Sequence, residues 1–496
     1  METSRLCSSV IALIAMNCLA LSEVYADEVL VRLTGLRDCS VESLHADGYD
    51  VTSVNLNQDY VDIFIDRADI STLEEKAQNI KILPESWGSL LPSNAANAGY
   101  YYSPDENWDF WTDLAATYPD LVQSPVTIGQ SFQGRDIYSI CITSSSGPSD
   151  KPAIHFNALT HAREPAGNSV MIDFGMWLAT EYDNDTMATF ILDNSEIYLV
   201  PIVNPDGYVA NMPGGGNQRK NMNFTTPVTS DGIDLNRNFG YQWGYDNMGS
   251  SPNPYDPTYR GSAAFSEPET ETLRSFINSI DPIGSIHYHS YGGMLIYPWN
   301  YVNQPTPHQS TFQSWASAMT AQNGYQYGRC GELMYPANGD ACDWSYENSE
   351  HQTCLSFGVE VDDNGFWGSQ NDSTAIADFS TECRFMNKML CMNLLNQTGI
   401  EYESETGYSG MLSVEGVSPN PVTNAMNLSV RIPSGSLAVT VYDLSGRRVD
   451  EFSLENPDSG DCQLKWVVPE GTPNGVYTLI IQSGSQTAGS RFTVLR

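Results

Sequence analysis

Basic residues and histidines are scarce in this 496-residue chain. It has 23 Lys and Arg against 60 Asp and Glu, which gives a formal net charge of −37, and it has 7 His. A surface this acidic repels nucleic acid and anionic membranes, so we expect neither as a partner. With so few histidines, those that stand close to a carboxylate or to each other are the candidates for chemistry.

Long apolar runs are also nearly absent. One stretch, residues 6–21, follows Arg5 and leads to Val24-Tyr25-Ala26, whose small residues suit a signal peptidase. The stretch is short for a membrane span, and no later run reaches about 18 apolar residues. The sequence therefore predicts a signal peptide at residues 1–26, no transmembrane segment, and a secreted, extracellular protein.

Two common metal motifs are missing as well. The chain has no HExxH, which excludes the helix of the zincin metalloproteases. Four of its 10 cysteines, Cys330, Cys342, Cys354 and Cys383, lie close in sequence, but without the CxxC spacing of a zinc–thiolate site. Since disulfides persist in exported proteins, we expect one or two disulfides within this group.

The length suggests about three domains. Composition and periodicity predict a small α+β unit at 27–95, an α/β unit at 96–400, a polar acidic linker at 401–415 and an all-β sandwich at 416–496. In the first unit, VLVRL, DVTSVNL and YVDIFID alternate like half-buried strands, and ADISTLEEKAQNI has helical spacing. The last unit contains short strands separated by turn residues at regular spacing.

The central unit alternates strands with helices. Buried strands are predicted at AIHFNAL, EIYLVPIV, GSIHYH and LSFGVEV, and helices after Pro165, Glu267, His308 and Thr374. This alternation is typical of an α/β sheet layered by helices. The loops between these elements are long and rich in Gly, Asn and Pro, as is typical of loops that carry a functional site.

Residues 160–165, THAREP, contain the strongest candidate for a metal site. His161 and Glu164 lie three residues apart where a predicted strand runs into a predicted helix, so one turn places both on the same side. An imidazole and a carboxylate suit zinc, but a catalytic zinc needs a third protein ligand. His287 and His289 are the candidates, and because they lie two apart on a predicted strand they face the same way. Spacing alone does not choose between them.

Residues 100–396 resemble the zinc metallocarboxypeptidases of the carboxypeptidase A/B and T type. Five motifs occur in the family's order: THAREP, GIDLNRNF, IHYHSYGGMLIYPW, YPANGDACDWSY and SFGVEVDDNG. The resemblance implies a mixed sheet with helices on both faces and one Zn²⁺ per catalytic domain. The family's third ligand is a His followed by Ser or Thr and then Tyr, which fits His289. The implied metal ligands are therefore His161, Glu164 and His289.

The resemblance also implies a role for residues near the ligands. Asp234 corresponds to the carboxylate that accepts a hydrogen bond from the first ligand histidine, and such pairing fixes the tautomer of the ring. Arg219 corresponds to the arginine that stabilises the developing oxyanion. Glu360 corresponds to the general base, which takes a proton from the attacking water and delivers it to the departing amine.

Substrate-binding residues follow from the same motifs. Asn236 and Arg237 match the pair that holds the terminal carboxylate of the substrate, and Tyr335 matches the tyrosine that closes over it. Arg163 matches an arginine that faces the substrate.

The specificity pocket is expected around the segment before Trp344. In the family that this chain resembles, the position just before the Asp-Trp pair lies at the base of the pocket, and here it is Cys342, which implies an uncharged pocket. Asp340, two residues earlier, either pairs with a basic side chain or points to solvent. We therefore expect broad specificity, for apolar and aromatic residues together with some basic ones.

The flanking units have resemblances of their own. Residues 27–95 resemble the propeptides of these exopeptidases, which implies a zymogen and an activating protease that cuts between Ser93 and Gly99. The C-terminal unit, with SPNP, VYDLSGRRV and a final TVLR, resembles bacterial sorting domains, which implies secretion machinery as a partner and export to the cell surface or beyond.

These observations predict a secreted zinc exopeptidase that releases single amino acids from the C-termini of peptides and proteins. Two alternatives remain. One is a metal-dependent amidohydrolase of the same superfamily acting on peptidoglycan stem peptides. The other is a non-catalytic adhesin, which would be expected to lack a metal ligand or the general base.

Overall fold

This computed structural model describes fourteen segments of the chain: residues 28–37, 39–55, 60–82, 101–212, 215–225, 232–347, 349–399, 413–418, 422–432, 437–443, 448–454, 460–469, 471–483 and 486–495. The predicted signal peptide, the predicted activation cut at 93–99 and most of the predicted linker lie outside them. The chain forms two compact units, which divide between Leu394 and Leu395. Within the described residues, no helix combines the length and the apolarity needed to cross a membrane.

The N-terminal module, residues 28–82, belongs to the first unit. It contains strands β1 (Glu28–Leu36), β2 (Asp50–Asn55), β3 (Tyr60–Asp66) and β4 (Ala77–Ile82), with helix α1 (Val41–Ala46) and a 3₁₀ turn at Arg67–Leu73. The strands form an antiparallel sheet in the order β2-β3-β1-β4. Alternating apolar residues of the strands, such as Val31, Leu33 and Ile63, pack together with Leu44 of α1.

The predicted helix ADISTLEEKAQNI is wrong in its second half. Its first part forms the 3₁₀ turn at Arg67–Leu73, but Ala77–Ile82 is a strand that pairs antiparallel with β1. This segment has helical spacing in the sequence, but in the folded module it lies beside the edge of β1 and pairs with it. The backbone groups of β1 on that side need partners, and β4 supplies them.

The central sheet of the first unit has eight strands in the order β11-β10-β12-β9-β7-β8-β6-β5. Their bounds are β5 Val126–Gln130, β6 Asp136–Ile142, β7 Ala153–Asn157, β8 Glu196–Val200, β9 Gly284–Ser290, β10 Met294–Ile296, β11 Gln326–Gly328 and β12 Leu355–Val361. The central strands β12, β9, β7 and β8 are parallel, and the outer pairs β10–β12, β6–β8 and β5–β6 are antiparallel. The sheet is therefore mixed, as predicted.

Helices cover both faces of this sheet. Their bounds are α2 Pro104–Thr117, α3 Ala166–Glu181, α4 Thr186–Asn194, α5 Pro205–Asn211, α6 Pro268–Ile280, α7 Gln309–Met319, α8 Cys330–Leu333, α9 Ala341–Tyr346 and α10 Ser373–Gln397. On one face of β9, the Tyr288 hydroxyl donates to Asn387 of α10, and Gly167 of α3 lies against the Tyr288 ring. On the opposite face, His287 contacts Ser345 of α9. Burial on both faces explains why several of these strands are mostly apolar in the sequence.

The cysteines do not form the expected disulfides. Cys330, Cys342, Cys354 and Cys383 are all free thiols, and all four are buried. Each contributes to packing or to a weak hydrogen bond, as from Cys330 Sγ to the Tyr335 carbonyl at 3.0 Å. A buried thiol behaves as a small apolar residue, so closeness in sequence was not evidence for pairing.

The second unit is all β. Its strands are β13 Ser413–Ser418, β14 Ala425–Ile432, β15 Leu437–Asp443, β16 Arg448–Leu454, β17 Gly460–Val467, β18 Gly475–Ser483 and β19 Gln486–Val494. They form two antiparallel sheets, β13-β14-β17 and β16-β15-β18-β19. Side chains from both sheets share one core, which includes Leu428, Val439, Trp466 and Phe492. This arrangement is the predicted sandwich.

Candidate metal centre and substrate cleft

The site lies at the carboxyl ends of three neighbouring parallel strands. In the β9–β12 pair, His289 stands opposite Glu360, and in the β7–β9 pair, Asn157 stands opposite His287. The carboxyl ends of parallel strands meet at one edge of a sheet, where the following loops build sites. The loop after β7 therefore delivers the THAREP segment to the same edge as the last residues of β9 and β12.

His161, Glu164 and His289 converge there. His161 Nδ1 lies 2.9 Å from Glu164 Oε1, and His289 Nδ1 lies 3.0 Å from Glu164 Oε2. The two Nδ1 atoms are 3.1 Å apart. All three side chains are buried, and among the described residues they are the one group of three or more His, Cys, Asp or Glu whose possible ligand atoms all lie within 4.8 Å of one another.

The outer nitrogens of both rings have partners that fix the rings in this orientation. His161 Nε2 lies 3.1 Å from Asp234 Oδ1, and His289 Nε2 lies 3.3 Å from Asn236 Nδ2. A hydrogen bond from Nε2–H of His161 to Asp234 leaves the Nδ1 lone pair directed at the centre. This is the contact predicted for Asp234.

Arg219 lies against the same group. Its Nη2 donates to Asp234 Oδ2 at 2.9 Å, and its Nη1 lies 3.6 Å from Glu164 Oε1. Burial acts to raise the pKa of Asp234, but the charges of Arg219 and His161 outweigh it, so this pKa lies well below its usual range. The pKa of Glu164 is likewise held low by His161 and His289 against the effect of burial. Both carboxylates are therefore ionised.

This donor set fits zinc. Two imidazole nitrogens and a carboxylate, all directed at one point, are a set of three protein ligands found in catalytic zinc sites, and the hydrogen bond to Asp234 fixes the tautomer of His161. His287 is outside the set. Its Nε2 lies 3.2 Å from both the Ser285 and the Ser345 hydroxyls, and burial lowers its pKa well below the usual value, so its ring is neutral.

Glu360 lies beside the metal centre but is not one of the three candidate ligands. It is half-buried at the end of β12, and no described residue gives its carboxylate a hydrogen bond. Burial and the nearby charge of Glu164 raise the pKa of Glu360 to about 8. A bound divalent cation lowers the pKa of a neighbouring carboxyl group, because it stabilises the charged form.

A cavity of about 60 Å³ extends from the metal centre. Its walls include Asn236, Arg237 and Tyr335. Arg237 is buried and donates from Nη1 to the Asn236 carbonyl at 2.8 Å, but its Nε has no partner and it forms no ion pair with a described carboxylate. A buried guanidinium without a counterion is suited to bind an anionic group that enters the cavity.

Asp340 and Cys342 form part of the same wall. Asp340 is 1% exposed, so its side chain does not point to solvent. Its Oδ1 accepts from the backbone N–H of Asp343 at 2.8 Å and caps α9, while its Oδ2 has no partner. Burial raises the pKa of Cys342 well above its usual value, so this thiol is neutral.

The N-terminal module forms part of the wall of this cavity. Val51 and Thr52 of β2 belong to its lining, and the Tyr335 hydroxyl lies 3.5 Å from the Val51 carbonyl. The Tyr335 ring also stacks on His45 of the module, with 4.0 Å between ring centroids. Tyr335, predicted to close over substrate, is thus held by the module.

Arg163 faces the module as well. Its Nη1 and Nη2 donate to the two carboxylate oxygens of Asp50 at 2.8 and 3.1 Å. The guanidinium is 1% exposed and lies over the rings of Phe64 and Phe366, at 5.2 and 4.4 Å from their centroids. Asp50 is one of 60 acidic residues, and nothing in its sequence context distinguished it.

Asn300 is a cavity residue that sequence reasoning missed. It is 5% exposed, and its side-chain Oδ1 has no hydrogen-bond partner. It stands in IYPWNY, directly after the strand motif that contains His289, and this adjacency was the available signal.

Comparison with known proteins identifies two regions of the chain. A family model described as zinc carboxypeptidase matches residues 108–382, and one described as a secretion system C-terminal sorting domain matches residues 416–494. Rat carboxypeptidase A1 is 31% identical over 314 residues, which cover 62% of this chain and 72% of the relative. Human carboxypeptidase B is 32% identical over 56% of this chain and 67% of the relative.

Solved structures show the same fold. The carboxypeptidase A of Helicoverpa armigera superposes with a TM-score of 0.64 at 20% identity, covering 75% of this chain and 98% of that one. A structure of thrombin activatable fibrinolysis inhibitor gives a TM-score of 0.61 at 21% identity, covering 75% of this chain and 99% of that one.

Proposed function

The chain belongs to the zinc carboxypeptidase family, and we propose that it is made as a secreted zymogen whose active form removes single residues from the C-termini of peptides and proteins. The observation that carries this proposal is the group formed by His161, Glu164 and His289, with Glu360 beside it and the unpaired Arg237 facing the same cavity. A metal centre next to a buried cation is what cleavage beside a free terminal carboxylate requires.

In the proposed reaction, Arg237 and Asn236 bind the terminal carboxylate of the substrate and so place the last peptide bond at the metal centre. When bound, zinc polarises the peptide carbonyl and makes water a better nucleophile. Glu360 accepts a proton from the attacking water and passes it to the departing amine. The Nη1 group of Arg219, directed at the metal centre, donates to the developing oxyanion.

Latency is supported by the position of the N-terminal module. Its strand β2 contributes Val51 and Thr52 to the cavity wall, and Asp50 forms an ion pair with the guanidinium of Arg163. A module in this position would obstruct the binding of a peptide at the metal centre. An activating protease would cut between the module and the α/β unit predicted at 96–400, which we call the catalytic unit. The segment predicted for this cut is 93–99.

Export has two supports. The C-terminal unit matches a sorting domain of a secretion system, and the predicted signal peptide would direct the chain to that route. The machinery of that system is the proposed partner of the C-terminal sandwich.

Specificity is proposed to be broad. Cys342, Ile296 and Met334 give the cavity an apolar wall, and Asp340 adds a carboxylate. Apolar and aromatic C-terminal residues would pack against the apolar wall, and C-terminal Lys or Arg would pair with the Asp340 carboxylate.

The test is an assay of protein cut between the module and the catalytic unit, on blocked dipeptides that end in Phe, Leu, Lys or Arg. Each assay is repeated with a chelator and then with zinc restored. We expect release of the last residue, loss of release with the chelator and recovery with zinc. Cleavage at internal bonds, or turnover that the chelator does not affect, would contradict the proposal.

A further inference from the structure

Two buried acceptors in the cavity wall have no partner. They are Asp340 Oδ2 and Asn300 Oδ1, on residues that are 1% and 5% exposed. A buried polar atom without a hydrogen bond is costly, so a cavity that presents two acceptors is complementary to a ligand that brings donors.

Both acceptors are held in place by one residue, Asp343. Its backbone N–H donates to Asp340 Oδ1 at 2.8 Å, which leaves Oδ2 free. Its carboxylate accepts from the backbone N–H groups of Asn300 at 2.9 Å and Tyr301 at 3.0 Å. The Asn300 carbonyl also accepts from the Ala337 N–H at 2.9 Å. The Asn300 side chain also hydrogen-bonds to Asp340, which places its amide beside that carboxyl group while Asn300 Oδ1 keeps no partner.

The charges around the cavity also favour a basic ligand. Asp340 and Asp343 are both buried, and no described residue forms an ion pair with either. Burial therefore raises the pKa of both carboxyl groups, and each lacks a cation that would stabilise its ionised form. The nearest cation, Arg237, is the proposed partner of the substrate's terminal carboxylate and would be neutralised by it. A positive side chain would then be the counterion that Asp340 lacks.

We propose that Asn300 is a second specificity residue and that, together with Asp340, it makes the enzyme favour C-terminal Arg over C-terminal Lys. This inference rests on the proposed function, because it names the side chain that the same cavity selects. A guanidinium presents five N–H donors in a rigid planar fork, so it can donate to a carboxylate and to a neighbouring amide oxygen together. The three donors of an ammonium group diverge from one nitrogen and match two separate side chains less well.

The experiment measures kcat/KM of trimmed protein on three substrates that differ only in the last residue, Arg, Lys or Phe. Unchanged protein should release Arg about tenfold faster than Lys. The Asn300→Ala variant should lose about ten- to hundredfold on Arg, the effect of one hydrogen bond to a charged donor, with less than threefold loss on Lys and none on Phe. The matched control is Gln304→Ala, an exposed amide on the same loop, which should change none of the three values.

The outcomes separate this inference from the proposed function. Release of Phe with no preference for Arg over Lys in unchanged protein would overturn the role of Asn300 while leaving the carboxypeptidase intact. An equal loss on all three substrates in Asn300→Ala would mean that Asn300 supports the cavity and does not select the side chain. Absence of release from every substrate, with zinc present, would overturn both. As a check that does not depend on turnover, free L-arginine should bind the trimmed Glu360→Gln protein more tightly than free L-lysine, and the Asn300→Ala change should remove that difference.

Discussion

The contact between Asp50 and Arg163 gives a direct test of latency. The change is Asp50→Asn, which keeps the size of the side chain and removes its charge. Because Asp50 belongs to the module, the variant and the unchanged chain are chemically identical from residue 101 onward once the module has been removed. A difference in activity between the two proteins that is present before trimming and absent after it is therefore caused by the interaction of the module with the rest of the chain.

The size of the effect follows from the burial of the pair. Arg163 is almost fully buried, and its two nitrogens donate to both oxygens of Asp50, whose side chain is 17% exposed. Removing one partner of a buried charge pair costs about 3–5 kcal/mol. The partial exposure of Asp50 and the rings that still cover Arg163 reduce this to about 2–3 kcal/mol. At 1.36 kcal/mol per tenfold, the fraction of uncut protein with an open site should rise about 30- to 150-fold.

The assay compares uncut protein with trimmed protein on one C-terminal substrate, for the unchanged chain and for Asp50→Asn. We expect higher activity of the uncut variant and equal activity of the two trimmed proteins. Asp69→Asn is the control, because it removes the same charge from an exposed position in the module. If uncut Asp50→Asn is as inactive as the unchanged chain, the Asp50 contact does not contribute to latency. If uncut and trimmed unchanged protein are equally active, the module does not inhibit at all.

Three further predictions concern the catalytic unit. His289→Ala should abolish zinc retention, measured by metal analysis after dialysis, whereas His287→Ala should keep the metal, because His287 contacts serine hydroxyls instead; the reverse result would refute the ligand assignment. Glu360→Gln should bind zinc and substrate normally while kcat falls by orders of magnitude, and near-normal turnover would exclude it as the base. Asp340→Ala should reduce kcat/KM for Arg-ended substrates about tenfold or more with little change for Phe-ended ones, because only the cation loses a buried partner; an unchanged ratio would remove Asp340 from specificity.

Sequence patterns predicted the layered architecture well because burial imposes them directly. Strands β7 and β9 are buried at every residue and β12 at all but one, and β7, β8 and β12 appear in the sequence as mostly apolar segments. The prediction was wrong where the helical spacing of a segment was overridden by its pairing with a strand far away in the sequence. Ala77–Ile82 has helical spacing but serves as the edge partner of β1, more than 40 residues away in sequence.

The spacing within motifs predicted which residues carry chemistry, because ligands that share a turn or a strand are close by local geometry. His161 and Glu164 are an example, and their contact at 2.9 Å depends on one turn of chain. Spacing could not choose between His287 and His289, since both face the same side of β9. The choice depends on which of the two residues lies beside the loop after β7. That position is set only when the strands pair in the folded sheet.

What the sequence by itself determined is therefore the class of the fold, the identity of the metal ligands within a short list, and the acidic composition of the chain. What the tertiary structure decided is how distant segments meet. The partnership of Asp50 with Arg163 spans 113 residues, and the burial of Asp340 beside Asn300 depends on the packing of α9 against the loop after β10. A charged side chain looks the same in a sequence whether water or a buried counterion surrounds it, and the free energy that distinguishes these two states arises from desolvation in the folded protein.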